Sequence, residues 1–541
     1  MQLEVLLQRL AIQSRRTRIA LVSLVFLFVA GLLSTPFYKS RSHPHFPEED
    51  YTYPAAPHHG AIMQDRPKRV AIIGAGASGS AAAFFMRRAG RIMEQRIGVL
   101  EGRLLGEIVV FDREDYVGGR STTVYPHSDT RARPVELGAS IFVEANRHMI
   151  KAAKLFNLTT INPDFGEAGI GIWDGREFLF TTSTSLSWFS SWWDAFGALR
   201  RYGIMSPYRS SSAVNALLAK FATLYDPLFV SEKGVARSIE AFTERVGLGQ
   251  ELTMRRGQDW ALGNGMGQEW MGEIMEGSTR CNYAANMDDI HALGAGVSMA
   301  TGGAKAIEGG NWQVFEGMLK HSKALLQLGT EVTDILPLTS GTGAPLFQVR
   351  TNSSSVDDDM PFDQIFYASP WYSSPKDLGF RGLSSHLLQP IPFVPLSMLE
   401  DVLTRSSRQK YVHLHVTLLT TSRPHPLPSF FGLSDDTIVP TTILTTGITS
   451  RSESAHPPPR FQSITWHGET FPGSGEYVVK IFSMTYVKDR ILRNLIGEEP
   501  TWLLRKEWSS YPVLRPISTY APVEPVKGLQ YLAALEPWVS T

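Results

Sequence analysis

Arg69-Val-Ala-Ile-Ile73 runs without interruption into Gly74-Ala75-Gly76-Ala77-Ser78-Gly79, and the reading of this stretch decides the fold. The first five residues form a β-branched apolar run suited to a buried parallel strand. The glycines follow the Gly-x-Gly-x-x-Gly spacing, and Ser80 to Arg88 continues as an alanine-rich helical pattern. Strand, glycine turn and helix in this order predict a Rossmann-type βαβ unit that holds a dinucleotide.

Each residue type has a physical task in that unit. Gly74 permits a tight turn, Gly76 lets the backbone approach a pyrophosphate, and Gly79 lets the helix pack closely on the strand. Ala77 and Ser78 lie at the helix N-terminus, where free N–H groups and the positive dipole end favour phosphate. A second strand is expected at Glu107-Ile-Val-Val-Phe111, ending at Asp112, an acid placed to accept from a ribose hydroxyl, with Arg113 next to it. The acid lies farther from the glycines than the usual ~20 residues, so residues Gly90 to Gly106 read as an insertion on the crossover. Tyr116-Val117-Gly118-Gly119-Arg120 follows. Paired glycines and an arginine beside an anionic cofactor favour phosphate contact, a feature that NAD sites do not require. This tilts the expectation to FAD. The small-residue stretch Glu136-Leu-Gly138-Ala139-Ser140 is a further candidate for approach to the flavin.

Size and charge set outer bounds. A chain of 541 residues implies several domains. Lys+Arg and Asp+Glu both total 52, so no basic field favours nucleic acid. Cys281 is the one cysteine, which excludes an intramolecular disulfide and multi-cysteine zinc sites.

The N-terminus reads as a targeting signal. Ile19 to Leu33 is uncharged and mostly apolar, and Arg9, Arg15, Arg16 and Arg18 precede it. Both a cleaved signal peptide and a retained anchor, with membrane association through this segment, fit that pattern. Either would place the body on the lumenal side. The sequons Asn157-Leu-Thr159 and Asn352-Ser-Ser354 agree with that side.

Farther on, Ser183 to Leu228 is rich in aromatic residues at near-helical spacing, and Asn311 to Leu328 also reads as helix. Strands are expected at Thr330 to Ile335, Leu346 to Thr351, Phe362 to Ala368, His413 to Leu419 and Tyr477 to Thr485. His413 and His415 share a strand face, but no third ligand lies near them in sequence, so no metal site is expected. Nucleophile-elbow and Walker motifs are not evident.

The motifs together resemble the FAD-dependent amine oxidase-like superfamily. Ser187-Trp-Phe-Ser-Ser-Trp-Trp193, Arg200-Arg-Tyr-Gly203, Arg280-Cys-Asn-Tyr283, Ile290-His-Ala-Leu293, Val297-Ser-Met-Ala300, Glu308-Gly-Gly-Asn311, the run from Phe362 to Pro370 and Tyr531-Leu-Ala-Ala-Leu-Glu536 resemble the prenylcysteine oxidase (prenylcysteine lyase) family. That resemblance covers about Arg69 to Thr541. It implies an α/β fold: a Rossmann-type FAD-binding domain with an interleaved α+β substrate domain. The implied division is 1–37 signal or anchor, 38–66 linker, 67–160 and 306–380 FAD-binding, 161–305 and 381–515 helical and substrate regions, and 516–541 a closing FAD-binding part. It also implies oxidation of the thioether of S-farnesyl- or S-geranylgeranyl-cysteine to a prenyl aldehyde, cysteine and hydrogen peroxide. In the implied chemistry the prenyl C1 gives a hydride to FAD, water adds to the resulting cation, and O₂ is the final acceptor. A lysosomal or vacuolar setting in prenylated-protein catabolism comes with it. No obligate protein partner is evident. Val332 and Glu536 join Gly74, Gly76, Ala77, Ser78, Gly79, Asp112, Arg113, Gly118, Gly119, Arg120, Gly138, Ala139 and Ser140 as expected cofactor contacts.

Catalytic residues stay open at this level. Asn282, Tyr283 and His291 are candidates to face the flavin, and packing residues on the other reading. The aromatic segment from Trp188 to Tyr225 either lines a prenyl slot or is core. The family continues past Glu536 into a helix whose N-terminus points to the flavin, and this sequence ends at Thr541, where that helix would begin. Another amine oxidase-like oxidase or desaturase, or a prenyl-binding relative without catalysis, is the alternative.

Overall fold

A computed structural model describes residues 66–538 apart from 164–168, 183–187, 227–228, 230–235, 237, 339–343, 354–359, 371–408 and 448–458. The expected signal and linker, the Ile19 to Leu33 run among them, lie outside the described residues. Among those described, no helix is long and apolar enough to cross a membrane.

The apolar run at the start does become a buried strand, β1 (Lys68–Ile73). Gly74 donates its N–H to Phe111 O at 2.8 Å, and α1 (Ala77–Ile97) begins three residues later. The expected insertion at Gly90 to Gly106 takes the form of a lengthened helix and the turn after it. Gly90 lies inside α1, which runs 21 residues to a left-handed Gly98 (φ 71°) before β2 (Leu105–Phe111). Two buried charged side chains hold this longer crossover. Arg87 donates to Ser322 O, Leu105 O and Gly106 O, and Glu94 accepts the N–H groups of Leu104 and Leu105. Burial of both charges is offset because every partner is a fixed backbone group.

After a hairpin of β3 (Ile170–Trp173) and β4 (Phe178–Thr181) come α2 (Trp188–Tyr202), α3 (Met205–Ala222), α4 (Glu276–Tyr283) and α5 (Ala292–Ser298). The chain then returns through α6 (Trp312–Ser322) and β5 (Leu325–Gln327). The helix expected to reach Leu328 therefore stops six residues early. Lys323 adopts a left-handed φ of 54°, and the remainder pairs with β2 as an edge strand. Next are β6 (Val332–Leu338), β7 (Leu346–Thr351), β8 (Gln364–Tyr367), β9 (Tyr411–Thr421), β10 (Thr442–Thr445), β11 (Ser463–Glu469), β12 (Tyr477–Ser483), α7 (Asp489–Ile496), β13 (Trp502–Pro512) and β14 (Leu529–Tyr531).

Two large sheets organise these elements. The first has five strands in the order β14-β8-β1-β2-β5, each neighbour pair parallel. The second has seven, in the order β13-β9-β12-β11-β10-β3-β4. Side-chain alternation gives the second sheet two buried faces. Leu419, Val479 and Ile481 pack with Leu492, Leu495 and Ile496 of α7. Val412, Leu414, Val416, Leu418 and Val478 pack with Val135 and Leu137. The second sheet thus covers residues 135–140, the small-residue stretch that follows the dinucleotide motif.

A Cβ placed on Gly79 would lie 1.9 Å from the backbone oxygen of Gly74. Gly79→Ala should therefore force α1 off β1 and cost at least about 1–3 kcal/mol. A Cβ on Gly197 in α2 would meet nothing within 4 Å, so Gly197→Ala should be neutral or stabilise by roughly 0.5–1 kcal/mol. Urea unfolding of both variants checks this pair; equal midpoints would contradict it.

Candidate cofactor and active site

Two backbone segments meet first. Gly76 and Gly118 form a parallel bridge, and Gly118 N–H donates to Ala75 O at 3.0 Å. Gly118 has φ 112°, and a Cβ there would lie 2.2 Å from Ser121 O. Gly119 has φ 59°, and a Cβ there would lie 3.3 Å from Gly76 Cα. Only glycine satisfies both the dihedral and the contact.

The helix N-terminus at this junction is open. No side chain caps α1 and its first turn holds no acid, while Ala77 and Ser78 are exposed. Its first-turn N–H groups have no intrahelical acceptor, so they are presented to an anion. Asp112 sits beside them. Its Oδ2 accepts from Ala75 N at 2.7 Å and its Oδ1 from Glu114 N at 3.0 Å. Burial raises its pKa, while these N–H donations act the other way. Each oxygen keeps a lone pair for a ribose hydroxyl. Thr330 N–H donates to Asp112 O, which brings the buried Val332 at the start of β6 alongside. Arg113 is half-exposed and lies 3.5 Å from Glu114.

The second wall comes from residues 136–140 and the second sheet. A Cβ on Gly138 would lie 2.3 Å from Arg120 O and 3.0 Å from the Trp508 ring. Asn311 is the hub behind this stretch. Its N–H donates to Glu136 Oε1 at 2.7 Å, its Nδ2 to Ala139 O at 2.8 Å, and its Oδ1 accepts from Ile307 N at 2.9 Å. Lys480, on β12, donates to Glu136 O at 2.6 Å and Ser140 Oγ at 2.9 Å. Burial pushes the Glu136 carboxyl up and the Lys480 ammonium down, and their mutual attraction opposes both shifts. Arg120 donates to Ser510 O at 2.8 Å and pairs with Glu536, which also accepts from Tyr411 OH at 2.9 Å.

Buried polar atoms without a protein partner collect around this wall: Ser121 Oγ, Glu136 Oε2, Trp508 Nε1 and Ser510 Oγ. Such atoms carry a desolvation cost that a polar ligand relieves. The open helix terminus, the Asp112 carboxylate and this polar rim fit a dinucleotide with a second, polar ring system. FAD has that chemistry.

The catalytic candidates part company. Asn282 is exposed and bonds weakly to Ser278 and Ser298 at 3.4 and 3.3 Å. Tyr283 is buried edge-on to Tyr511. His291 is fully buried as the N-cap of α5: Nδ1 accepts from Gly294 N at 2.9 Å, so Nε2 carries the proton toward Pro537 O at 3.1 Å. That is a satisfied core histidine. Among the described aromatics of the Trp188 to Tyr225 segment, Tyr202 and Phe221 pack in the core, whereas Phe196 and Tyr208 are exposed. Tyr202 stands between Phe180 and Trp270 and donates to Glu273, and Phe221 meets Trp538. The side chains of 188–193 lie outside the described residues.

Sequence reasoning missed Lys480, Tyr411 and Trp508, and it named Asn311 only within the Glu308-Gly-Gly-Asn311 motif, with no role of its own. A lysine on one face of Tyr477-Val-Val-Lys-Ile-Phe was the available signal for the first. Sequence reasoning also found no third ligand for His413 and His415. Strand pairing supplies one, because Glu507 on β13 lies opposite His415.

Comparison with known proteins agrees with this geometry. A family model described as prenylcysteine lyase matches residues 186–541, and one described as an NAD(P)-binding Rossmann-like domain matches 72–154. The chain is 26% identical over 497 residues to the farnesylcysteine lyase of Arabidopsis thaliana, across 89% of this chain and 86% of that one. It is 26% identical over 505 residues to prenylcysteine oxidase 1 of Homo sapiens, across 88% and 86%. Among solved structures, a CLA-producing fatty acid isomerase from P. acnes shares the fold at a TM-score of 0.50 and 13% identity, covering 82% of this chain and 86% of that one.

His291 yields a pH prediction. Burial lowers its pKa to about 4 from 6.5. Between these values the unfolded chain binds the proton and the folded chain does not, so stability falls as pH drops from 6.5 toward 4. This group should remove about 2 kcal/mol between pH 7 and pH 5. His291→Asn keeps an N-cap acceptor for Gly294 and should make the pH dependence of denaturant unfolding shallower by that amount. An unchanged slope would count against the assignment.

Proposed function

The chain belongs to the prenylcysteine lyase family, and on that premise we propose that it is an FAD-dependent oxidase that cleaves S-prenyl-L-cysteine. The observation that carries this reading is the open N-terminus of α1, held against Gly118 with Asp112 beside it. The net reaction balances as R–CH₂–S–Cys + O₂ + H₂O giving R–CHO, cysteine and H₂O₂.

Bound FAD would supply a two-electron acceptor for the hydride of the prenyl C1 and pass the pair to O₂. The chain's own residues bind and orient. The N–H groups from Gly76 to Gly79 would hold the pyrophosphate, and Asp112 the ribose. Val332 and Arg113 would flank that end, with Gly119 completing the close approach. Arg120 is already fixed by Ser510 O and Glu536, so it would meet the phosphates as part of that pair. Gly138, Ala139 and Ser140 would let the ring system lie near the backbone. Lys480 would keep a positive charge behind them, held at Glu136 O and Ser140 Oγ.

The purified chain should be yellow, with the oxidised-flavin band near roughly 450 nm. Anaerobic farnesylcysteine should bleach it, and in air each cysteine released should accompany one peroxide. Amines should do neither. A flavin-loaded protein that ignores farnesylcysteine sinks the substrate assignment, and a protein that takes up no FAD sinks the whole reading.

The setting we propose is the lumen of the secretory pathway, ending in a lysosome or vacuole. The Ile19 to Leu33 run with its preceding arginines supports it. So does the exposure of Asn157 and Asn352, each in a sequon. Expressed in a eukaryotic cell, the full chain should be protease-protected in microsomes and lose mass on glycosidase treatment. Protease sensitivity with no glycan would overturn this placement.

A further inference from the structure

The seven-stranded sheet carries a second group of chemistry-bearing side chains on the face opposite Lys480. His413 and His415 alternate along β9, so they project to the same side. Glu507 lies directly across from His415 on β13. One imidazole nitrogen from each histidine and one carboxylate oxygen all lie within 4.8 Å of one another. His413 Nε2 is 3.4 Å from one Glu507 oxygen, and His415 Nδ1 is 3.3 Å from the other.

Those separations are long for a charged hydrogen bond, which sits at about 2.7–2.9 Å. They run to different oxygens of the carboxylate; one ligand atom from each residue lies within 4.8 Å of the others, and a small side-chain rotation would bring these atoms to the roughly 3.3–3.4 Å edges of a tetrahedral ion with arms of about 2.0–2.1 Å. His415 is mostly buried, at 15% side-chain exposure, and forms a fixed base. His413 and Glu507, at 60% and 50%, keep the rotamer freedom to close on an ion.

We infer that His413, His415 and Glu507 form a binding site for a divalent transition metal, with a fourth position open to water. Two imidazoles and one carboxylate suit Zn²⁺ or Cu²⁺ and disfavour the all-oxygen preference of Ca²⁺ and Mg²⁺. The ion would clamp β9 to the sheet-edge strand β13. Tyr411 and Ser510, which hold Glu536 and Arg120, lie on these same two strands. This inference does not depend on the substrate proposed above.

The test is Zn²⁺ titration of the full chain after EDTA treatment and dialysis, followed by calorimetry and thermal unfolding. The wild type should bind one Zn²⁺ saturably at this site and gain thermal stability. The variant H413A/H415A should bind at least tenfold more weakly and show no such gain, while unfolding in EDTA at the wild-type temperature. Ca²⁺ and Mg²⁺ should leave the wild type unchanged. Glu507→Gln, an exposed change that leaves both histidines, should weaken binding in the same direction and carries the test if the double variant is unstable. Equal Zn²⁺ affinity in the wild type and these variants, or no Zn²⁺ binding by the wild type, would overturn the site.

Discussion

The approach of one backbone to another at Gly74, Gly76, Gly79 and Gly118 is the constraint on which the rest of this structure depends. A side chain at Gly79 would strike Gly74 O, and one at Gly118 would strike Ser121 O. With those atoms absent, α1 starts against β1 and the 116–120 turn lies on the loop. The N-terminal N–H groups of α1 then have neither a cap nor an intrahelical acceptor, so they need an anion. Asp112 reaches Ala75 N because β2 ends at the same level as the loop. Thr330 bonds to Asp112 O and brings β6 to the same point. One steric condition therefore sets the position of several loops at once.

The second sheet completes the site and raises its electrostatic cost. Lys480 and the Glu136 carboxyl are brought into a region with little water, where a charge is tolerated only with fixed partners, and Arg120 lies partly exposed at its edge. Those partners are the backbone groups Glu136 O, Asn311 N–H and Ser510 O, with the Ser140 hydroxyl and the Glu536 carboxylate. Asn311 joins Glu136, Ala139 and Ile307 in one network. This gives the Glu308-Gly-Gly-Asn311 motif a physical reason: Gly310, at φ 119°, turns the chain so that Asn311 reaches all of them. The orphaned polar atoms beside Trp508 and Ser510 mark where protein partners run out and a ligand's begin.

Packing supplies partners to both sets of histidines that spacing along the chain did not show. His291, in a family-like stretch, is an N-cap closed on both ring nitrogens. His413 and His415, dismissed for want of a third ligand, gain Glu507 from a strand about ninety residues later. Spacing along the chain is a good guide to ligands on one helix or one loop. It says nothing of a residue delivered by antiparallel pairing, because register is set by turns and by which face is buried.

The sequence by itself determined the dinucleotide-binding unit, the acid at the end of its second strand, the Gly-Gly-Arg turn and the strand character of β6, β7, β9 and β12. These features are local: each depends on periodicity, on glycine's missing side chain or on the order of neighbouring elements. Family motifs carried the substrate class, since no local rule distinguishes a thioether from an amine. Tertiary structure decided the rest. It gave the insertion at Gly90 to Gly106 its form, the end of α1 to Ile97 and the turn before β2, because Arg87 and Glu94 find backbone partners once α1 lies on β2. It ended α6 at a left-handed Lys323 and gave the residue run after it to the sheet. It placed Lys480 behind Glu136 and Ser140, and Glu507 across from His415, since both are contacts between strands far apart in the chain. Their energies depend on burial and register, which exist only after the two sheets have packed.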